Sequence, residues 1–288
     1  AFTAALLNSQ PMGFYAPPQL VRNARDHGVD VRPIDVNHSD WDCTLEGGPA
    51  ISLRLGFNML HGLASAHARQ IEHARDGRPF RSMDDFARRT GLSRSVLSRL
   101  AGADVFGSLE LNRREALWHA LDQDQEELPL FDQCSKPHAT DAKVDLPRLS
   151  EAEEVLADYR TAGLSLKAHP LEFLRAELDA MEVVAAEALK DWPIDRPIRV
   201  AGIVLVRQRP GTAKGITFVT LEDETGTANL IIRPGVWRRY RRAAMGATLL
   251  LAHGRLQRQG QIIHVLVTKL ENLSDRLQGM GRQSRDFC

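Results

Sequence analysis

The sequence predicts a multidomain α+β protein in which a helical region is followed by a small five-stranded β-barrel. Residues 56–121 contain apolar segments interrupted by small residues, which is typical of several short packed helices. Residues 197–272 instead contain five short runs rich in Leu and β-branched residues, separated by Gly and Pro, which is typical of strands and turns. The chain has 288 residues, 43% of them hydrophobic, so it can form about two globular domains.

The first 48 residues are predicted to join a helix end to a short mixed segment. A helix over residues 19–27 ends at Gly28, because glycine readily adopts the left-handed conformation of a helix stop. Alternating apolar and polar residues predict a half-buried strand over 29–36, and a second strand is predicted over 51–55. Because an apolar helix already starts at Ala1 rather than at a Met, we expect the chain to be a piece of a longer protein.

Helices are predicted in the helical region over 64–74, from 82 onward, over 93–100 and over 112–121. Residues 122–149 are acidic and aperiodic, as in a linker. Ser150 and Glu153 form a capping-box pattern, which predicts a helix from there to about Ala162. A further helix is predicted over 171–181.

The barrel region has the sequence order of an OB-fold, with a helical piece between the third and fourth strands. The five strands are predicted over 199–206, 216–221, 228–232, 248–256 and 262–267, and the helix over 236–244. Such barrels bind single-stranded nucleic acid on one face. The predicted backbone contacts are cations near the loops: Arg207, Arg209, Lys214, Arg233, Arg255 and Arg258. Few aromatic residues are free to stack, so we expect binding to be mainly electrostatic.

The net charge of zero conceals a basic module beside an acidic one. Residues 199–269 contain twelve Lys/Arg and three Asp/Glu, a net charge of +9, whereas residues 122–158 carry a net charge of −8. A dense positive charge favours a polyanionic partner, most often nucleic acid. The sequence contains no apolar run long enough to cross a membrane. The cysteines, Cys43, Cys134 and Cys288, have neither disulfide nor metal-site spacing, which indicates a cytoplasmic setting.

The turn around Gly62, Leu63 and Ala64, between one predicted helix and the next, resembles a helix-hairpin-helix motif. Many such motifs have Gly where Ala64 stands. In that motif, backbone N–H groups at the start of the second helix meet a DNA phosphate. A plain helical turn is the alternative. A second copy of the motif is predicted around Gly102 and Ala103. Arginines near the two motifs would either neutralise DNA phosphates or lie on solvated helix faces: Arg69, Arg99, Arg113 and Arg114.

The linker contains a short peptide that resembles the segment by which bacterial polymerases bind the sliding clamp. Its candidate anchors are Gln125, Leu128, Leu130 and Phe131, which would offer apolar side chains and an amide to a preformed groove. The alternative is that these residues hold the linker on its own domain. The sequence shows no phosphate-cradling loop, nucleophile–base set or pair of metal-binding carboxylates, so we assign it no catalytic residue and no metal ligand.

The whole chain resembles the C-terminal part of bacterial family C DNA polymerase alpha subunits, in their error-prone, damage-inducible branch. The resemblance is carried by Leu7-Asn-Ser-Gln-Pro-Met-Gly-Phe-Tyr15, Pro33-Ile-Asp-Val-Asn37, Trp41-Asp-Cys-Thr-Leu45, Leu164-Ser-Leu-Lys-Ala-His-Pro-Leu171, Lys214-Gly-Ile-Thr-Phe-Val-Thr-Leu-Glu-Asp-Glu-Thr-Gly226 and Ser284-Arg-Asp-Phe287. It implies the end of the polymerase fingers at 1–48, a tandem helix-hairpin-helix domain at 49–121, a clamp-binding linker at 122–149, a helical connector at 150–196, an OB-fold domain at 197–272 and a tail at 273–288.

The resemblance also implies a function for the intact protein. That protein would be a DNA-directed DNA polymerase that uses Mg²⁺ in translesion synthesis and damage-induced mutagenesis. Its partners would be primer-template duplex, single-stranded template and, in addition, a sliding clamp and accessory mutagenesis proteins. This chain would bind DNA without the catalytic palm, and so would be inactive alone. Two alternatives stay open: a freestanding, non-catalytic DNA-binding module, and an inert product of a truncated gene.

Overall fold

The computed structural model describes residues 1–11, 16–48, 51–122, 146–260 and 262–280. The chain divides into two compact units, Ala1–Leu166 and Lys167–Cys288, which we call the hairpin unit and the barrel unit. The predicted segments 1–48 and 49–121 share one hydrophobic core within the hairpin unit. The predicted connector 150–196 is divided between the two units. None of the described helices is long and apolar enough to span a membrane.

The hairpin unit combines seven helices with a small sheet in its described part. The helices are α1 Phe2–Asn8, α2 Pro17–Asp26, α3 Ser65–Arg75, α4 Met83–Thr90, α5 Arg94–Gly102, α6 Arg113–Asp122 and α7 Glu151–Ala162, and the strands are β1 Val31–Arg32, β2 Thr44–Glu46 and β3 Ser52–Arg54. The sheet order is β1-β3-β2, with β1 parallel and β2 antiparallel to β3. The predicted helices of residues 56–121 and the capped helix α7 are therefore confirmed.

The strand predicted over 29–36 has only two residues. Pro33 follows β1 and has no N–H to donate to a neighbouring strand. The chain then turns at Asp35, whose backbone N–H donates to Ser39 Oγ at 3.0 Å and whose carbonyl accepts from the Ser39 N–H at 2.8 Å. These turn bonds replace the sheet bonds that a longer strand would have made.

The core of the hairpin unit is centred on three phenylalanines. The ring of Phe86 lies edge-to-face against Phe80 and Phe106, with ring centroids 4.9 and 5.1 Å away. Edge-to-face pairs of this kind add to the stabilisation that burial itself provides. The same cluster contains Leu97 and Leu100 of α5, so the helices α4 and α5 are fixed to one another through this core.

The barrel unit contains a closed five-stranded barrel, which confirms the predicted OB-type fold. The strands are β4 Pro197–Gln208, β5 Thr217–Glu222, β6 Thr227–Ile232, β7 Leu249–Gln259 and β8 Ile262–Asn272, in the order β4-β5-β6-β8-β7. Strands β6 and β8 are parallel, and the other described pairs are antiparallel. The predicted helical piece is present as α9 Pro234–Arg239 and α10 Arg241–Gly246, and α11 Ser274–Met280 follows β8.

A short helical segment covers part of the outer barrel wall. This segment, which we call the collar, spans residues 170–190 and contains a 3₁₀ helix over Pro170–Leu174, α8 over Arg175–Ala180 and a 3₁₀ helix over Ala186–Lys190. Its apolar residues pack with outward-facing residues of β4 and β7: Leu171, Leu174, Leu178 and Val183 with Ala201, Leu249 and Leu251. The collar therefore belongs to the barrel's fold, and it occupies the β4–β7 side of the wall.

The acidic turn after β5 joins the collar to the barrel. Asp223 Oδ1 accepts the backbone N–H of Thr225 and of Gly226, each at 2.8 Å, and its Oδ2 accepts the backbone N–H of Ala186 at 2.7 Å. Arg175 Nε donates to Glu224 Oε1 at 2.5 Å. Partial burial is the largest influence on Arg175 and acts to lower its pKa, but the hydrogen bonds to Glu224 together with the negative charges of Glu224, Asp223 and Asp179 raise the pKa overall.

Candidate nucleic-acid interface

The first predicted hairpin is a tight turn that leads directly into α3. Gly62 has a φ of +73°, in the left-handed region that favours glycine. Leu63 is buried in the core, and its N–H is 3.3 Å from the Leu60 carbonyl. Ala64 is the N-cap of α3 and has no side-chain oxygen to cap the helix. The N-terminal end of α3 is therefore without a side-chain cap, and unpaired N–H groups and the helix dipole attract anions at such an end.

Arg99 fixes the conformation of this hairpin from the neighbouring helix α5. Its guanidinium Nη1 donates to the Gly62 carbonyl, and the Arg99 side chain is otherwise exposed. A Cβ on Gly62 would lie 2.7 Å from Arg99 Nη1, so only glycine fits here without displacing Arg99. This arrangement holds a positive charge beside the start of α3.

The second predicted hairpin has a different geometry. Gly102 is the last residue of α5 and has no positive φ, and ten residues separate it from the start of α6 at Arg113. This connection contains a 3₁₀ turn over Gly107–Leu109. Gly102 and Ala103 are both partly buried. The connection between α5 and α6 is therefore a longer loop rather than a copy of the tight turn at Gly62.

Arg113 is wrongly predicted as a phosphate contact, because its side chain is only 3% exposed. Its Nη1 donates to the Gly102 carbonyl, and its Nη2 lies against Asp158 Oδ1 and at 3.1 Å from Glu154 Oε2. Asp104 Oδ2 is 3.7 Å from the same nitrogen. Arg113 thus joins α6 to the α5 terminus and to α7 inside the fold, where DNA would have to displace α7 to reach it.

The three carboxylates around Arg113 do not suit a magnesium ion. Asp104, Glu154 and Asp158 have oxygens within 4.8 Å of one another, a spacing that a cation could use. The guanidinium of Arg113 already bonds to these carboxylates. A divalent ion there would face the positive charge of Arg113, so we assign no Mg²⁺ to this cluster.

The two remaining predicted phosphate contacts of the hairpin unit, Arg69 and Arg114, differ in their surroundings. Arg69 is exposed on α3, two turns or less from the N-terminal end of that helix. Arg114 is partly buried, and its Nη1 donates to the Pro147 carbonyl at 2.5 Å. Arg69 is therefore open to solvent, whereas Arg114 also has a structural bond.

Three of the predicted contacts on the barrel already bond to backbone carbonyls. Arg207 donates to the carbonyls of Ala244 and Ala247 at the end of α10, and burial lowers its pKa. Arg255 Nη1 donates to the Asp195 carbonyl at 2.8 Å, and Arg258 donates to the Lys190 carbonyl. All three side chains remain partly exposed, but these bonds give each of them a role in holding the fold.

The other three barrel cations gather at one end of β5 and β6, and we call them the basic end: Arg209, Lys214 and Arg233. A Cβ built on Gly215 would lie 3.4 Å from Arg209 Nη2 and 3.3 Å from Pro234 Cγ. Lys214 directly precedes Gly215, and Arg233 directly precedes Pro234. Both cations are therefore brought close to Arg209. All three are exposed, and none forms an ion pair or side-chain hydrogen bond with another residue in the described ranges.

An exposed aromatic ring, Phe218, lies on the outer wall of the barrel beside the basic end. The core-facing residues of β5 are Val219 and Leu221, so Phe218 points outward, and it is 36% exposed. Phe218 was not predicted from the sequence, because an aromatic residue within an apolar strand normally faces the core. Its position between core-facing neighbours in the β5 alternation was the available signal.

The predicted clamp-binding residues Gln125, Leu128, Leu130 and Phe131 lie outside the described residues. That interpretation stays a prediction. Cys134 and Cys288 also lie outside the described residues. Cys43 is a buried free thiol whose pKa is raised by burial.

Two family models match the chain at the two predicted modules. The model described as "Helix-hairpin-helix motif" matches residues 28–116, and the model described as "OB-fold nucleic acid binding domain" matches residues 198–273. The first match begins before the predicted start at residue 49 and includes the small sheet. Both matches agree with the predicted fold class.

Named relatives match nearly the whole chain. Error-prone DNA polymerase 1 of Rhizobium meliloti (strain 1021) is 45% identical over 311 residues, covering 99% of this chain and 28% of that protein. The error-prone DNA polymerases of Rhodopirellula baltica and of Azoarcus sp. (strain BH72) are each 46% identical and cover all of this chain, and 25% and 27% of those proteins. The chain thus spans about a quarter of the length of the relatives that it matches.

Proposed function

Because the whole chain is homologous to a part of the error-prone DNA polymerases, we propose that it supplies the DNA-holding surfaces of such an enzyme. In this proposal it acts during damage-induced mutagenesis and translesion synthesis in the cytoplasm. Template-directed nucleotidyl transfer with Mg²⁺ belongs to the parent polymerase, and we assign no residue of this chain to that chemistry. The observation that carries the proposal is the basic end of the barrel, where Arg209, Lys214 and Arg233 lie close together and exposed.

The hairpin unit would hold duplex DNA by its backbone. The start of α3 has no side-chain cap, and Arg99 places a positive charge beside it. A phosphate at this point could accept hydrogen bonds from backbone N–H groups and interact with the guanidinium. Such contacts fix the position of the duplex without reading its sequence, as a polymerase that copies any template requires.

The barrel unit would hold the single-stranded template. Its basic end offers three cations that are not used by other described side chains, which favours phosphates as their partners. Neighbouring Arg207, Arg255 and Arg258 add positive potential while they hold the fold. A sliding clamp and accessory mutagenesis proteins remain proposed partners, with residues 125–131 as the candidate clamp peptide.

Removing the basic end should weaken single-strand binding and its dependence on salt. Each phosphate contact on a single strand contributes a slope of about −0.7 to log K against log salt concentration. The triple variant Arg209→Ala/Lys214→Ala/Arg233→Ala should therefore lose about 2 units of slope, together with at least about tenfold in affinity at low salt. A fluorescence-anisotropy titration of the full chain with labelled oligo-dT over a range of salt concentrations measures both quantities.

A second triple variant controls for net charge. Arg238→Ala/Arg239→Ala/Arg242→Ala removes the same charge from exposed positions on α9 and α10. It should change the slope much less, because these positions are outside the basic end. Equal losses in both variants, or no binding of DNA by the unaltered chain at low salt, would contradict the proposed site.

Changing the first hairpin should weaken duplex binding selectively. In Gly62→Ala the new Cβ would displace Arg99, and an alanine at a φ of +73° is strained. We expect duplex affinity to fall by about tenfold, the usual range for losing one charge-assisted contact, while oligo-dT affinity stays the same. Gly77→Ala is the matched control, since Gly77 has a φ of +69° and nothing within 4 Å of its Cβ position. A similar duplex-affinity loss in Gly77→Ala would show that backbone strain alone is responsible.

A further inference from the structure

We propose that Phe218 is a base-stacking residue of the barrel's single-strand site. This inference rests on the proposed function and deepens it, because it names the side chain that contacts the bases. The sequence alone indicated binding by charge with little stacking. The structure places an exposed ring where a base could lie flat against it.

Phe218 belongs to a row of outward-facing residues that crosses the barrel wall. Strand pairing aligns Phe218 with Ile231 on β6, Ile231 with Leu266 on β8, and Leu266 with Arg255 on β7. Paired residues point to the same side of a sheet, so the four side chains form a continuous apolar strip that ends in a cation. Ile231 and Leu266 are partly buried and Phe218 is the most accessible apolar member.

The collar leaves this part of the wall uncovered. Its apolar residues pack with Ala201, Leu249 and Leu251 on β4 and β7, and none of the four residues in the row belongs to that cluster. The next outward pair, Thr220 and Asn229, is polar, with Thr220 Oγ1 3.0 Å from Asn229 Oδ1. The row is thus an apolar strip with polar groups beside it, which suits a base with an apolar face and polar edges.

The basic end lies at the same end of the strands as Phe218. Thr217 pairs with Ile232, and Arg233 follows Ile232 directly, so Arg233 is near the start of β5. Lys214 and Gly215 precede β5, and Arg209 approaches Gly215. A nucleotide with its phosphate at the basic end therefore has its base within reach of Phe218. Single-stranded DNA fits this arrangement better than a duplex, whose bases are stacked on one another and not available to a ring.

An abasic oligonucleotide separates stacking from charge. The full chain is titrated with oligo-dT of about ten nucleotides, within the usual site size of such a barrel, and with an abasic oligomer of equal length and charge. The unaltered chain should prefer oligo-dT by about tenfold or more. Phe218→Ala should lose this preference and should bind the abasic oligomer as the unaltered chain does, with the same salt slope.

Two further variants keep the test independent of folding. Phe218→Trp should restore the preference for bases, and its added tryptophan fluorescence should be quenched by oligo-dT and not by the abasic oligomer. Ile262→Ala removes another exposed apolar side chain, on β8, and should leave the preference unchanged. Salt-dependent DNA binding without any preference for bases, or a preference that survives in Phe218→Ala, would overturn the stacking role while leaving the basic end in place. Absence of salt-dependent binding would overturn the proposed function itself.

Discussion

Replacing Arg113 by alanine should destabilise the hairpin unit by about 3–5 kcal/mol, the usual effect of removing one partner from a buried ion pair. The change would leave the carboxylates of Glu154 and Asp158 close together without the cation that now bonds to both. It would also remove the donor to the Gly102 carbonyl. We expect the effect to be large because Arg113 is buried and the two carboxylates are mostly shielded from water, which could otherwise replace the guanidinium.

Urea unfolding of the full chain, followed by circular dichroism, measures this loss. Arg88→Ala is the matched control, because Arg88 is also on a helix and paired with an acid, Asp85, but its side chain is 78% exposed. Its effect should be within about 0.5 kcal/mol. A loss below about 1 kcal/mol for Arg113→Ala would show that water or a neighbouring cation replaces the guanidinium. Unchanged DNA affinity of the folded Arg113→Ala variant is also expected.

Replacing Asp223 by alanine should destabilise the barrel unit by about 3 kcal/mol or more, because several buried donors lose their acceptor together. The carboxylate is 2% exposed and accepts the N–H groups of Ala186, Thr225 and Gly226. It therefore fixes both the turn after β5 and the second 3₁₀ helix of the collar. Loss of these bonds should loosen the collar as well as the turn.

Thermal and urea unfolding of the variant chain measure the effect, with two comparisons. Asp223→Asn keeps one acceptor oxygen and should lose less stability than Asp223→Ala. Glu187→Ala removes an exposed acid from the same 3₁₀ helix and should change stability by less than about 0.5 kcal/mol. Equal effects of the alanine changes at Asp223 and Glu187 would mean that charge, rather than the buried bonds, stabilises the collar.

The sequence predicted the barrel well, because each strand is long enough to show a run of apolar or β-branched residues between turn residues. It also predicted the helix start at Ser150, since a capping box is a local pattern of side chains that bond to the nearby backbone. The short strand β2 was missed because three residues are too few to show an alternation. Its position in the sheet depends on pairing with β3, which is a tertiary contact.

The site was predictable only in part, because the use of a charged side chain depends on its neighbours in space. Arg209 and Arg207 are two residues apart and look alike in the sequence. The structure gives Arg207 two carbonyl partners at the end of α10, whereas Arg209 forms no side-chain hydrogen bond with the described residues. Likewise, the partners of Arg113 lie more than forty residues away on α7. No local pattern distinguishes such a structural arginine from one that is available to DNA.

The hairpin unit uses the same bond twice, from an arginine guanidinium to a glycine carbonyl, at Gly62 and at Gly102. At Arg113 the chain provides its own anions, the carboxylates of Asp104, Glu154 and Asp158. At Arg99 the guanidinium remains exposed. Salt weakens contacts between exposed charges far more than contacts between shielded ones. A rise in ionic strength should therefore release a bound polyanion while the contacts of Arg113 persist. The hairpin unit can then dissociate from DNA and bind it again without unfolding.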